Sequence, residues 1–278
     1  MTYQSTLEDP GRDTNTFYRR TLHVLSDAHV RFLVGGSHAY LQYTGIVRPT
    51  KDFDLFLRRE DIEAALDALR DAGYRTEIAF PHWLAKAHQS GDHVDLVFSS
   101  GNGLCRVDDE WFAHAIDADV LGMPVKIAPV EEFLWQKAFV MERERFDGAD
   151  LMHLMRHCAE MIDWQRLLRR FDRYWPLFLT YLTMFSFVYP SEVHRIPKSI
   201  FNELVGRLQT QLASGDGADG NGAVANGTER VCQGTLVSRG QYMIDIGQYG
   251  FLDARVRPRG NMSPEDTIFW TWAIENVD

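Results

Sequence analysis

Cysteine is scarce in this chain. Its 278 residues include three, Cys105, Cys158 and Cys232, spaced far apart. That excludes a disulfide framework and any C-x-x-C pair for zinc or redox chemistry, and points to a reducing cytoplasm. Positive charge is also short, with 29 Lys+Arg against 39 Asp+Glu and a formal net charge of −10. Blanket phosphate neutralisation is thereby excluded as the main way of holding nucleic acid, which leaves a local basic groove as the form open to it. Long apolar runs are missing as well. The longest uncharged stretch, Tyr174–Ser191, opens on Trp175-Pro176, closes on Tyr189-Pro190 and carries Thr180, Thr183 and Ser186 inside. It predicts a buried helix and no membrane contact. The first fifteen residues lack the basic-then-apolar order of a signal peptide, so no export is expected.

What is present is globular. Hydrophobic residues make up 45% and charged residues 24%, well away from the composition of disordered chains. The length suits about two domains of ~100–200 residues each. Residues 14–29 carry Phe17, Leu22 and Leu25 near helical spacing, RFLV reads as a short buried strand, and Gly35-Gly36-Ser37 ends it before a second helix in HAYLQYTG. DFDLFL alternates as a strand, and REDIEAALDALRDAG is an amphipathic helix ending at Gly73. YRTEIAF, HVDLVF and PVKIA complete a mixed strand set. Residues 1–128 therefore read as an α/β (α+β) domain, a mixed sheet flanked by helices.

From Pro129 the pattern becomes helical, in PVEEFLWQKAFVMERER, FDGADLMHLMRHCAEM, DWQRLLRRFDRYW and the uncharged stretch, giving a helical domain over 129–212. Residues 213–229, rich in glycine, predict a flexible linker. Residues 230–278 return to strand and loop chemistry and end in a helix whose start is borne by Ser263, Glu265 and Asp266.

The chemistry gathers in the first half. Asp52 and Asp54 stand two apart on the expected strand, a period that puts both carboxylates on one face, about 6–7 Å apart. Asp95 follows the same alternation in HVDLVF and is expected on a neighbouring strand. The three would form a carboxylate cup of the hard oxygen donors that Mg²⁺ prefers, and a metal is the simplest compensation for an acid in so apolar a strand as that of Asp95. Gly35 and Gly36 let backbone approach a polyphosphate, and the N–H groups opening the next helix, with the Ser37 hydroxyl, supply donors to its oxygens.

The run GGSHAYLQYTGIVRPTKDFDLFL, followed by a lone strand Asp, resembles the signature of the polymerase-β-like nucleotidyltransferases. Arg48, Thr50, Asp52 and Asp54 together look like the minimal and abortive-infection (AbiEii-type) nucleotidyltransferases of prokaryotes. In the helical half, Lys137 followed by Asp147, Asp150 and Leu151 is similar to their helix pair. The resemblance spans roughly residues 31–160. It implies an enzyme that uses two Mg²⁺ ions and an NTP donor, releases pyrophosphate and nucleotidylates a hydroxyl acceptor, whether a small molecule, a tRNA or a partner protein. In that reading Asp52 and Asp54 are metal ligands and Asp95 a ligand or base. Gly35, Gly36 and Ser37 hold the β/γ-phosphates, with Lys137 as a second phosphate contact. The same chemistry as the toxin of a toxin–antitoxin pair, or a non-catalytic nucleotide-binding module, are the alternatives.

Other polar features carry plainer expectations. Arg48 and Thr50 brace the loop into Asp52. His38 directly follows Ser37, a position that in many turns faces solvent, and His153 and His157 lack the Glu of a zincin motif, which leaves them a surface or packing role. Arg166, Arg169, Arg170 and Arg173 read as a solvated, ion-paired helix face. Arg255, Arg257 and Arg259 read as a basic surface loop, with RNA or nucleotide contact as the alternative.

Overall fold

The chain divides into two units, Met1–Pro129 and Val130–Asp278. The computed structural model describes residues 12–48, 50, 52–213 and 229–275. Most of the expected linker, residues 214–228, lies outside the described residues.

In the first unit, α1 (Arg12–Asp27) leads to β1 (Leu33–Val34), α2 (Gly36–Thr44) and β2 (Asp54–Phe56). Then come α3 (Ile62–Asp71), β3 (Arg75–Phe80), β4 (Leu84–Gln89), β5 (Asp92–Val97), α4 (Asp109–Ala113), β6 (Ile116–Val120) and β7 (Met123–Ile127). The seven strands form one mixed sheet in the order β3-β4-β5-β2-β1-β7-β6. The pairs β1/β7 and β2/β5 are parallel; all the others are antiparallel. On one face Leu33, Phe56, Leu84, Val97 and Trp111 build a buried cluster. Tyr18, Leu22 and Leu25 of α1 and Ile62, Leu66 and Leu69 of α3 are buried too, as the apolar stripes of two amphipathic helices demand.

Three elements here were not expected. Strands β4 and β6 each enter a hairpin with the strand that follows, and both hairpins use two turn residues with positive φ: Ser90 at 54° with Gly91 at 94°, and Leu121 at 57° with Gly122 at 76°. Such pairs suit the right-handed twist of the flanking strands. The sequence signal was weak because LAKAHQ mixes Lys, His and Gln into its alternation and IDADV carries two acids. Helix α4 is a short turn capped by the Asp108 carboxylate, which accepts from Glu110 N–H at 3.1 Å and Trp111 N–H at 3.4 Å.

The second unit holds α5 (Val130–Ala138), α6 (Gly148–Cys158), α7 (Trp164–Phe171), α8 (Trp175–Val188) and α9 (Lys198–Ala213). It continues through β8 (Val231–Cys232), α10 (Met243–Gly247), β9 (Leu252–Asp253) and α11 (Pro264–Glu275). Helix α5 stops seven residues short of the expected run through Arg145. Met141 pairs with Phe146 across a tight turn in which Glu142 N–H donates to Arg145 C=O at 2.8 Å. Phe171 of α7 stacks on Phe178 of α8 with ring centroids 4.8 Å apart. The uncharged stretch forms α8, which buries Trp175, Phe178, Tyr181, Leu182 and Phe185 while Phe187 is exposed. Among the described residues no helix is long and apolar enough to cross a membrane. Ser263 starts α11 as read, its hydroxyl accepting from Asp266 N–H at 3.0 Å.

Two arginine groups differ from expectation. Arg166 is buried, its guanidinium held by Glu131 and Glu132 of α5 while Arg170 donates to Glu132 at 2.9 Å. Helix α5 turns its two first-turn acids inward, so only an inward-facing Arg could accompany them. Arg255 is likewise buried. It pairs with Asp253 at 2.7 Å and donates to Thr271 at 3.2 Å, so this end of the expected basic loop is an internal ion pair.

Replacing Arg166 by Met removes the guanidinium shared by the buried Glu131 and Glu132 carboxylates, leaving Glu132 (0% exposed) with Arg170 and Glu131 with the Asp163 N–H. Breaking a buried pair from one side costs about 3–5 kcal/mol, and denaturant unfolding of the Arg166→Met variant is expected to show a loss of that size.

Candidate active site

Strand β1 is two residues long because the chain must turn at once. Gly35 N–H donates to Asp54 C=O at 2.9 Å, the last rung between β1 and β2. Gly36 then opens α2 with a positive φ of 52°. A Cβ on Gly36 would lie 1.8 Å from Asp54 Oδ2, and one on Gly35 2.1 Å from the Phe56 ring. The sequence reading gave these glycines to polyphosphate approach. In the structure the absence of side chains already serves β2, which packs directly beneath the turn. Ser37 is the second residue of α2, whose first-turn N–H groups have no partner within the helix.

Asp54 opens β2 and pairs in register with Asp95 of β5, and Asp95 pairs in register with Lys86 of β4. Neighbouring strands stand about 4.8 Å apart and register partners share a face. Lys86, Asp95 and Asp54 therefore form one row across three strands. The Lys86 ammonium donates to Asp95 Oδ1 at 2.8 Å. A metal was the simplest compensation expected for Asp95; the neighbouring strand supplies a cation beside it as well. Two residues earlier along β5, His93 Nε2 lies 3.3 Å from Asp52 Oδ1 and 3.7 Å from Asp95 Oδ1.

Asp52 does not share the strand. It precedes β2 in a loop, with its side chain 60% exposed against 14% for Asp95. Thr50 fixes that loop, its hydroxyl accepting from Asp52 N–H at 3.1 Å and donating to Asp52 C=O at 2.9 Å. Arg48 lies over the Tyr40 ring at 4.5 Å. Both residues thus contact the protein's own backbone and side chains as bracing groups do.

The face that carries this row changes character along the strands. Phe56, Val97 and Leu84 lie on the apolar cluster, and Asp54, Asp95 and Lys86 follow two residues away on the same side. The polar end thus borders a dry core and faces the turn into α2. On the other face Phe53 is fully buried, stacked on Tyr18 at 4.4 Å and met edge-on by His38 at 4.8 Å. His38 is therefore packed inward and not solvent-facing as expected; burial pushes its pKa down, which favours the neutral imidazole. The Tyr18 phenol is pushed up to about 12, first by burial and then by the negative field of Asp92, Asp52, Asp54 and Asp95.

Lys137 belongs to the second unit and is already neutralised there. Its ammonium donates at 2.8 Å to both Asp147 and Asp150, which are buried with it. Burial pushes the Asp147 carboxyl up, yet Lys137 and Arg145 outweigh it and hold the group below its ordinary range. These contacts make Lys137 the centre of an ion-pair cluster, and they do not support the expected role as a phosphate contact.

As ligands, Asp52 and Asp54 offer the hard carboxylate oxygens that suit a divalent cation such as Mg²⁺. The expected cup is not preassembled, since among the described residues no three His, Cys, Asp or Glu side chains converge on one metal position. Lys86 and His93 escaped the sequence reading. The signal is alternation: Lys86 and His88 share one face of β4, and His93 and Asp95 share one face of β5, but the polar residues of LAKAHQ mask β4 as a strand.

The class of protein follows from the sequence. Residues 14–170, more than half of the chain, match the family described as a nucleotidyl transferase of unknown function, DUF2204, and the chain belongs to that family. It is a nucleotidyltransferase by class, in agreement with the polymerase-β-like signature. No curated protein matches it in sequence. Among solved structures it is similar to the antibiotic-resistance factor ANT(2'')-Ia, at 14% identity and a TM-score of 0.42, over 66% of this chain and 98% of that one. It is similar also to the lincosamide antibiotic adenylyltransferase LnuA in its lincomycin-bound form, at 15% identity and a TM-score of 0.36, over 50% and 94%. A third is an antigenic nucleotidyltransferase-like protein from Paracoccidioides brasiliensis, at 14% and 0.41, over 69% and 98%.

Two predictions follow from the geometry. Gly36→Ala places a Cβ on the Asp54 carboxylate at a positive φ, a strain of about 1–3 kcal/mol; denaturant unfolding should show that loss, and calorimetry should show divalent-dependent NTP binding weakened at least tenfold. For Tyr18 the folded state retains the phenolic proton, so its contribution to stability is complete below pH 10 and falls away between pH 10 and about 12. The difference in phenolate absorbance between the wild type and Tyr18→Phe is expected to have its midpoint near pH 12 instead of near 10.

Proposed function

We propose that this chain transfers a nucleoside monophosphate from an NTP to a hydroxyl acceptor with the help of Mg²⁺. The observation that carries the reading is the register of Asp54 with Asp95 directly beneath the Gly35-Gly36-Ser37 turn. It sets a carboxylate row beside the start of α2, which supports reading the carboxylates as metal ligands and the helix N–H groups as phosphate donors to one space.

In this reading the acceptor oxygen attacks the α-phosphorus, a new P–O bond forms, the bond from the α-phosphorus to the bridging oxygen breaks, and pyrophosphate leaves. Asp95 accepts the proton of the acceptor hydroxyl. Asp52 and Asp54 would hold the divalent ion, which would supply neutralisation of charge on the phosphates and on the leaving group. The N–H groups of Gly36 and Ser37 and the Ser37 hydroxyl hold the β/γ-phosphate oxygens. Phe56, Val97 and Leu84 border the carboxylates and keep water away from that side.

The test is a binding cycle. Without metal, a triphosphate meets the negative charge of Asp52 and Asp54; at about 4 Å and an effective dielectric near 20 each such pair of like charges opposes binding by roughly 4 kcal/mol before screening. The double variant Asp52→Asn/Asp54→Asn is expected to bind NTP more tightly than wild type in the absence of Mg²⁺, and to lose the gain that Mg²⁺ gives the wild type. Calorimetric titration of both proteins in both conditions decides it. Equal affinities in all four would show that these aspartates do not face the nucleotide.

A further inference from the structure

The row Lys86–Asp95–Asp54 carries a cation where the proposed chemistry needs carboxylates, and that cation is built in. Lys86 is fixed by strand register, not by chance rotamer choice, because it is the antiparallel partner of Asp95. Its ammonium sits 2.8 Å from Asp95 Oδ1, with its side chain 24% exposed. The next row of the same two strands pairs His88 with His93, and His93 lies between Asp52 and Asp95. The carboxylates thus differ in what they face: Asp95 is engaged by Lys86, while Asp52 is mostly exposed.

We propose that Lys86 is a positioning residue that keeps Asp95 out of the metal's coordination, so that the protein without nucleotide offers a divalent ion Asp52 and Asp54 alone. This rests on the reading of Asp52 and Asp54 as metal ligands. A site of two carboxylates beside a lysine holds a divalent cation weakly, and the phosphate oxygens of the incoming NTP complete the coordination. Metal loading is thereby coupled to nucleotide arrival. Asp95, held in place and accepting from Lys86, stays available to the acceptor hydroxyl.

The experiment measures Mn²⁺ binding to the full chain without nucleotide, by electron paramagnetic resonance titration. Lys86→Met releases Asp95 and is expected to tighten Mn²⁺ binding at least tenfold, whereas Lys86→Arg, which keeps the charge, stays within about threefold of wild type. The gain should survive in 0.5 M salt, where a mere field effect is screened over roughly 4 Å, and adding Asp95→Asn to Lys86→Met should erase it. An unchanged or weaker affinity in Lys86→Met overturns the proposal, as does a gain that vanishes in salt.

Asp54→Asn separates the two readings. If it weakens Mn²⁺ binding while Lys86→Met fails to tighten it, only the role of Lys86 falls; if Asp54→Asn has no effect in either background, the ligand assignment itself has failed. Should Lys86→Met not fold, amine acylation of the wild type reads the same contact. Saturating Mn²⁺ alone is expected to leave Lys86 as protected as before, and a severalfold rise in its labelling would show Asp95 moving to the ion and overturn the proposal.

Discussion

The parallel pairing of β2 with β5 is the constraint on which the first unit depends. Parallel strands cannot be joined by a tight turn, so the chain between Phe56 and Asp92 must leave the sheet and return. It leaves through α3 and comes back along β3 and β4 at the edge of the same sheet, and the detour supplies both a covering helix and the strand that carries Lys86. Because β1 runs antiparallel to β2, its C-terminal end arrives beside Asp54, where the glycine turn begins. One register, Asp54 against Asp95, therefore locates the carboxylates, the turn and the start of α2 together.

Much of this was legible in the residues. Asp-x-Asp in an apolar run and a Gly-Gly-Ser turn before a helical pattern are local signals, and they identified the strand, the turn and α2. The partnership of Asp54 with Asp95 was expected in kind. Its consequence for charge was not, since nothing local in HVDLVF reveals that the strand on its other side presents a lysine. That information is tertiary: it depends on recognising LAKAHQ as a strand and then on its register. The glycines show the complementary case. Their presence was visible, but the reason for it, the Phe56 ring and the Asp54 carboxylate below, required the sheet.

The second unit shows why charge patterns mislead when burial is unknown. Arg166, Arg169, Arg170 and Arg173 have the spacing of a solvated face, yet Arg166 turns inward to Glu131 and Glu132. Lys137 with Asp147 and Asp150, and Arg255 with Asp253, repeat the arrangement. Burying paired charges is weak evidence for stability and stronger evidence for a fixed geometry, because each partner's direction is dictated by the other. Three such clusters pin α5 to α7, α5 to α6, and the β8–β9 segment to α11 through Thr271.

The hairpin between β4 and β5 turns on two residues, Ser90 and Gly91. Because side chains alternate along a strand, the length of that turn decides which residues meet. One residue more or fewer would bring Ala85 or Ala87 opposite Asp95 in place of Lys86, exchanging a charged partner for a methyl group without altering a single catalytic candidate. The electrostatic balance of the site is thus written partly in a count of residues: an insertion or deletion at the bend, four residues before Asp95, reaches the site as the loss of a positive charge.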